Sequence, residues 1–281
     1  MSPLFLSFKK NSSSCTSNRV NTTTTSTVSF GDLHDHKALE DAVPPTDTTD
    51  YLKFIPDPLM PWANSVFAPL EFDKLPEHRP YDVDIEFKEG KIPPFGPLYW
   101  LTETERQVLA KHIATNLKRG HIRRSTSSAA VPILFIRKTT GELRLRVDFC
   151  SLNAITKKNR YPLPLVADLL NRMQGCKVFS VISLKSAYSH IRIKDGDKWK
   201  TVFRTPYGRF EHLVTSYGLT NTPTAFQAFI QDTLRDYLDV FCVVYLDDIL
   251  IFSFSHTEHT DHLAKILDRL RDAQLCANVA K

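Results

Sequence analysis

The chain of 281 residues carries 36 Lys and Arg against 31 Asp and Glu, a formal charge of +5, with 42% hydrophobic and 24% charged residues. This ordinary globular composition excludes a wholly disordered or collagen-like chain, and the small positive surplus biases only mildly toward a polyanionic partner. No uninterrupted apolar stretch reaches the roughly 18 to 20 residues of a spanning helix, so no membrane segment is expected.

At the start, Leu4 to Phe8 form an apolar patch followed by Lys9 and Lys10, too short and in the wrong charge order for a secretory leader. Asn11 to Ser29 is mostly Ser and Thr, which cannot bury enough apolar surface to offset its ordering entropy. Gly31 to Phe67 has no sustained period, so residues 1–70 are expected to be a disordered tail and linker. His34, Asp35 and His36 make a ligand-like triplet there, but isolated tail histidines are usually solvated. Five cysteines, Cys15, Cys150, Cys176, Cys242 and Cys276, are odd in number and lack a CxxC pair. They argue against a zinc ribbon or disulfide framework and for an intracellular setting, cytoplasmic or nuclear.

Regular structure is expected after the Pro-rich stretch Lys91 to Pro97. Thr102 and Glu105 form a capping box, Val108, Leu109, Ile113 and Leu117 follow at helical spacing, and Gly120 stops the helix. Val131 to Lys138 and Leu143 to Phe149 read as strands around a turn at Thr139 to Gly141. Pro164 opens a second helix carrying Leu165, Val166, Leu169, Leu170 and Met173. Strand patterns follow at Val178 to Leu184, Tyr188 to Lys194, Lys200 to Thr205 and Arg209 to Val214. A third helix begins at Pro223, an apolar hairpin spans Val240 to Ser253, and a last helix carries Leu263, Ile266, Leu267 and Leu270. Strands and helices mix without regular βαβ alternation, so the fold class is α+β.

The hairpin is the sharpest feature. Phe241 to Leu246 and Ile249 to Phe252 read as two buried strands with Asp247 and Asp248 alone between them. Adjacent anions at the edge of an apolar sheet repel unless cations compensate them. One reading is a water-facing Asp-Asp turn; the other is a divalent-cation site of hard oxygen ligands on a rigid hairpin. The segment alone favours neither.

Tyr245-Leu246-Asp247-Asp248 resembles the Tyr-x-Asp-Asp box of reverse transcriptases. From about Leu75 to Lys281 the chain is similar to the reverse transcriptase of gypsy-type LTR retrotransposon polyproteins. The similar stretches include Leu75 to Asp82, Pro93 to Pro97, Leu152 to Thr156, Asn159 to Pro164, Phe203 to Thr205, Tyr207-Gly208, Gly218 to Asn221, Pro223 and Phe226-Gln227. The resemblance implies a right-hand polymerase with fingers and palm in residues 71–281, the family's thumb and RNase H being absent. It also implies template-directed DNA synthesis with two Mg²⁺ ions held by Asp247 and Asp248, and RNA or DNA template-primer and dNTPs as partners. Tyr188 falls where the family sets an aromatic ring beneath the incoming sugar. Lys138 and Arg144 fall where cations grip the triphosphate, and Tyr217 and Gly218 line the nucleotide pocket.

The sequence also departs from that pattern. Phe179 to Tyr188 matches a segment carrying the family's first catalytic aspartate, and Ser183 stands in its place. A neutral hydroxyl has neither the charge nor the bidentate reach to bridge two divalent cations, and loss of one preorganised group typically costs on the order of 10² to 10³ in rate. Ala187 replaces a Gly, Cys150 an Arg, and Thr215-Ser216-Tyr217 the more usual Met-Pro-Phe. The expectation is a copy that is catalytically impaired; the alternative is a non-catalytic retroelement remnant that binds nucleic acid weakly or has no function. Basic runs at Lys118 to Arg124 and Lys157 to Tyr161 would follow template phosphates or be simply solvated. His256, His259 and His262, spaced by three, are expected on a polar helix face rather than on a metal.

Overall fold

The computed structural model describes residues 50–68, 74–137, 141–159, 161 and 172–278. Helix α1 spans Glu103–Lys118, and its first turn is held as the capping box requires: Thr102 Oγ1 accepts the Glu105 amide and Glu105 Oε2 accepts the Thr102 amide at 2.8 Å. Leu109, Ala110, Ile113 and Ala114 form its buried stripe. Gly120, with φ of +69°, closes the helix in the left-handed region that a side chain would resist.

Three small antiparallel sheets follow among the described residues. Strands β1 (Ile122–Arg124), β6 (Gly208–His212) and β5 (Phe203–Thr205) form one sheet in the order β1-β6-β5. Strands β2 (Ile133–Arg137) and β3 (Leu143–Val147) form a two-stranded hairpin. Strands β4 (Val178–Ser183), β8 (Asp248–Ser253) and β7 (Cys242–Tyr245) form the third sheet, with β8 central. Helix α2 (Cys150–Ile155) is short; α3 (Thr222–Thr233) begins with Pro223 in its first turn; α4 (His256–Asp272) runs from an N-cap at Ser255. Helices α3 and α4 bury Phe226, Phe229, Ile230, Ile266, Leu267 and Leu270 in one core with Val244, Ile249 and Ile251 of the third sheet. The α+β expectation holds.

Several elements differ from expectation. Tyr188 to Lys194 is not a strand: Ser186 takes φ of +47° and turns the chain into a 3-10 turn at Ala187–His190. Ile193 then makes only an isolated bridge with Val83. The apolar alternation is real, since Ile191 and Ile193 are buried, but a turn rather than a strand delivers it. Lys200 to Thr205 divides between a 3-10 turn at Lys198–Thr201 and β5. Helix α2 carries only Leu152 as a buried side chain and leaves no period to read.

The tail expectation is corrected over residues 50–68. Asp50–Phe54 and Asp57–Trp62 are 3-10 turns, and Ala63, Val66 and Ala68 are buried. Trp62 Nε1 donates to Asp268 Oδ1 of α4 at 2.9 Å, and the Ala277 amide donates to the Val66 carbonyl at 2.8 Å. Tertiary contact, not local period, orders this segment. Residues 1–49, with the His34-Asp35-His36 triplet, lie outside the described residues, as do Lys138 and most of the helix expected after Pro164.

Candidate active site

The two aspartates do not share the turn. Ladder pairing places Asp248 inside β8, opposite Tyr245 on one side and Ser183 on the other. The two-residue turn is therefore Leu246 and Asp247, with Leu246 at φ of +55°. A branched side chain in that region is strained, and neighbouring groups hold it there. Gln227, fully buried on α3, accepts the Leu246 amide on Oε1 at 2.8 Å and donates from Nε2 to the Val244 carbonyl at 3.2 Å. The Asp247 carbonyl accepts the Leu184 amide at 2.7 Å, which ties the tip to the end of β4. Sequence reading included Gln227 in a motif without giving it a role; its clamp depends on a contact between α3 and the hairpin that spacing does not reveal.

Ser183 is buried, and its hydroxyl donates to Asp248 Oδ1. Its carbonyl accepts the Asn278 amide at 2.8 Å, so the strand end is fixed from both sides. The donor set can be tested against the cation pair implied by the resemblance. Among the described residues no group of three or more His, Cys, Asp or Glu side chains is placed to hold a metal ion. Two neighbouring carboxylates, one accepting a bond from a serine, do not fit two bridged divalent cations, which need shared anionic oxygens at roughly 3.5 to 4 Å metal spacing.

Beside the tip lies a cleft of about 710 Å³ whose lining includes Arg144, Arg146, Lys185, Ser186, Tyr217 and Asp247. Arg144 and Arg146 of β3 stack on the Tyr217 ring, their guanidinium carbons 5.0 and 5.4 Å from its centroid. Tyr217 in turn lies 4.7 Å from the Tyr188 ring, which meets Phe226 edge-on at 5.8 Å. Burial, then the Asp247 carboxylate and the Tyr217 ring, push the Tyr188 phenol up to about 12. Tyr188 is thus a neutral packing surface under the cleft wall. Gly218 has φ of +104°, and a Cβ there would meet Phe149 Cδ2 at 3.5 Å. Asn153 of α2 holds this turn, donating to the Gly218 carbonyl at 2.7 Å and accepting the Thr220 amide at 3.0 Å. The structure therefore brings Ser183, Tyr188, Arg144, Tyr217, Gly218, Asp247 and Asp248 around one region.

The basic runs divide. In the first, Arg123 pairs with buried Glu211 at 2.6 Å and Arg124 stacks over Phe210, while His121 and Ile122 are buried. In the second, Lys157 pairs with Glu86 at 3.0 Å. The α4 histidines divide: His256 is exposed, as expected of a polar face, while His259 and His262 turn toward the sheet. His259 is buried, with Ser180 Oγ 2.8 Å from its Nε2 and Ser253 Oγ 2.9 Å from its Nδ1. His262 lies flat on Phe241 at 3.8 Å, with its Nδ1 2.8 Å from the same Ser253 hydroxyl.

Residues 136–281 match the profile of the family described as reverse transcriptase (RNA-dependent DNA polymerase). Two polyproteins of Schizosaccharomyces pombe, of transposons Tf2-3 and Tf2-7, are 43% and 42% identical to this chain over 183 residues. The match covers 65% of this chain and 14% of each polyprotein, so the chain spans a small part of these relatives. The fold is similar to a foamy viral protease-reverse transcriptase solved with an RNA/DNA hybrid, with a TM-score of 0.69, 20% identity, and coverage of 89% of this chain and 33% of that one. A second structure of that enzyme, solved with double-stranded DNA, gives a TM-score of 0.68 at 18% identity, covering 93% of this chain and 45% of that one. The fold is that of the palm and fingers.

Proposed function

Because this chain belongs to the reverse transcriptase family, we propose that it is the fingers-and-palm region of a gypsy-type retrotransposon polyprotein, keeping the nucleic-acid-binding shape without the polymerase chemistry. The observation that carries this reading is the bond from Ser183 to Asp248. The residue facing Asp248 across the ladder gives a proton where the family's chemistry needs an anion. Asp247 and Asp248 are the remaining members of the family's magnesium set, and without the third acid they do not make a site for a bridged pair. No polymerisation step is assigned to them.

What supports binding is the cleft. Arg144, Arg146 and Lys185 line it against the single carboxylate of Asp247, which suits phosphate backbone or a nucleotide triphosphate. Tyr217 lines it, with Tyr188 packed against the Tyr217 ring from behind and Gly218 next in the chain. The foamy viral enzyme of similar fold was solved with an RNA/DNA hybrid and with double-stranded DNA, and template-primer of either kind is the ligand proposed for this cleft. An intracellular setting accords with Cys150, Cys176, Cys242 and Cys276 all being free thiols. No helix of the described residues is long and apolar enough to cross a membrane.

The test is primer extension on an RNA template with Mg²⁺ or Mn²⁺. No extension is expected, and incorporation that Asp247→Asn abolishes would overturn the reading. Duplex binding is expected to be sequence-independent and to fall steeply with salt; no binding even at about 50 mM salt removes the binder reading.

A further inference from the structure

Resting on the reading above, the cleft has a property that the family's cation-dependent chemistry does not share. We infer that it binds polyphosphate, the chemical class of a nucleotide triphosphate, without a divalent cation. In a site of clustered carboxylates a polyanion is repelled until metal ions neutralise both partners. Here the balance is reversed.

Asp248 accepts the Ser183 hydroxyl and is not on the cleft lining, where Asp247 is the one carboxylate among the described residues. Facing it are the cationic groups of Arg144, Arg146 and Lys185. Arg144 and Arg146 form no ion pair among the described residues; both guanidiniums lie on the π face of Tyr217, which leaves their N–H edges for an acceptor. Two planar guanidiniums one residue apart along β3, on the same face, can each offer a fork to adjacent phosphoryl groups. Two of the lining histidines add no charge, because burial pushes His112 down to about 4 and His212 to about 3. The cleft charge is therefore positive at neutral pH with no metal bound, and a cation would compete with the arginines for the phosphate oxygens.

The experiment is calorimetric titration of the full chain with inorganic tripolyphosphate, once in EDTA and once in excess Mg²⁺, beside titration with an RNA/DNA hybrid in the same buffers. Binding in EDTA as tight as, or tighter than, in Mg²⁺ is expected. Arg144→Gln and Arg146→Gln should each weaken it about tenfold, with the Lys variants intermediate, because each removes charge-assisted bonds. Ser183→Asp, which adds a third carboxylate beside the cleft, should weaken binding in EDTA by about tenfold and make it recover with Mg²⁺. Tripolyphosphate binding that requires Mg²⁺ in the unaltered protein overturns the inference, as does indifference to both arginine changes. Hybrid binding without tripolyphosphate binding overturns the inference and leaves the proposed function standing; loss of both overturns both.

Discussion

Gln227 and Leu246 form a clamp across the helix–hairpin boundary: the side-chain oxygen of one accepts the backbone N–H of the other at 2.8 Å. Leu246 sits at φ of +55°, a conformation that costs on the order of 1 kcal/mol or more for such a residue. The amide of a fully buried glutamine recovers part of that cost by satisfying both the Leu246 N–H and the Val244 carbonyl. Gln227→Leu keeps the volume and removes both bonds, leaving two backbone groups without protein partners. It is expected to lower stability by about 1 to 3 kcal/mol and to raise hydrogen exchange at Leu246 selectively. Urea unfolding with exchange mass spectrometry checks this; unchanged exchange at the tip would show that the ladder alone holds the turn.

Acid should destabilise the fold through His112, His190 and His212. Burial is the main cause of each shift, holding the first two near 4 and the third near 3, with Arg119 adding to it at His112. The folded values lie below the unfolded value near 6.5, so the unfolded chain takes up protons in this window that the folded chain excludes. Stability is therefore level above about pH 6.5 and declines as pH drops toward about 4. Each group contributes about 1.4 kcal/mol per pH unit while it differs between the two states. Because carboxylates titrate in the same window, the informative measurement is the difference between the unaltered protein and His212→Leu. The variant's stability should fall less steeply between pH 6 and 4, by about that slope; parallel curves would refute the assignment to His212.

How far the sequence spoke depends on whether the determining interaction is local. The capping box from Thr102 to Glu105 is four residues long and was legible in full. The apolar strands around Asp247 and Asp248 were legible, but their register was not. Which aspartate belongs to the turn is decided by Leu246 adopting a positive φ, which Gln227, nineteen residues away, helps to hold. Ser183 was identified from a motif, yet its bond to Asp248 depends on the ladder between β4 and β8. His259 and His262 looked polar because histidine is polar; their burial comes from Ser180, Ser253 and Phe241 on the sheet beneath. In each case the missing part was a partner distant in the chain.

The segment 50–68 gives a direct check on such distant partners. Val66 is fully buried and its carbonyl accepts the Ala277 amide, while Ala277 bridges to Leu184 at the end of β4. The segment thus backs the strand that carries Ser183. Val66→Ala removes buried methyl groups and should cost about 1 to 2 kcal/mol. Trp62→Phe removes the bond to Asp268 and should cost about 1 kcal/mol. If either change leaves the denaturation midpoint in place, the segment does not contribute to the cooperative fold.

Ser253 is the hub of the contact between α4 and the central strand. Its hydroxyl lies within 2.9 Å of His259 Nδ1 and 2.8 Å of His262 Nδ1, and one hydroxyl carries one proton. It can donate to only one ring, so with both bonds made the other ring donates to it, and the neutral rings hold opposite tautomers. Ser180 completes the chain at His259 Nε2. Burial is the first cause that lowers both histidines, with His262 the next contributor at His259 and Glu258 opposing the shift at His262. Ser253→Ala removes two bonds and is expected to cost about 1 to 3 kcal/mol, since His259 stays buried. The sharper test is a double-mutant cycle with His259→Phe. If the network is one unit, the second change costs less once Ser253 is gone, and the coupling exceeds about 0.5 kcal/mol. Additivity within that margin would reduce the network to two unrelated contacts.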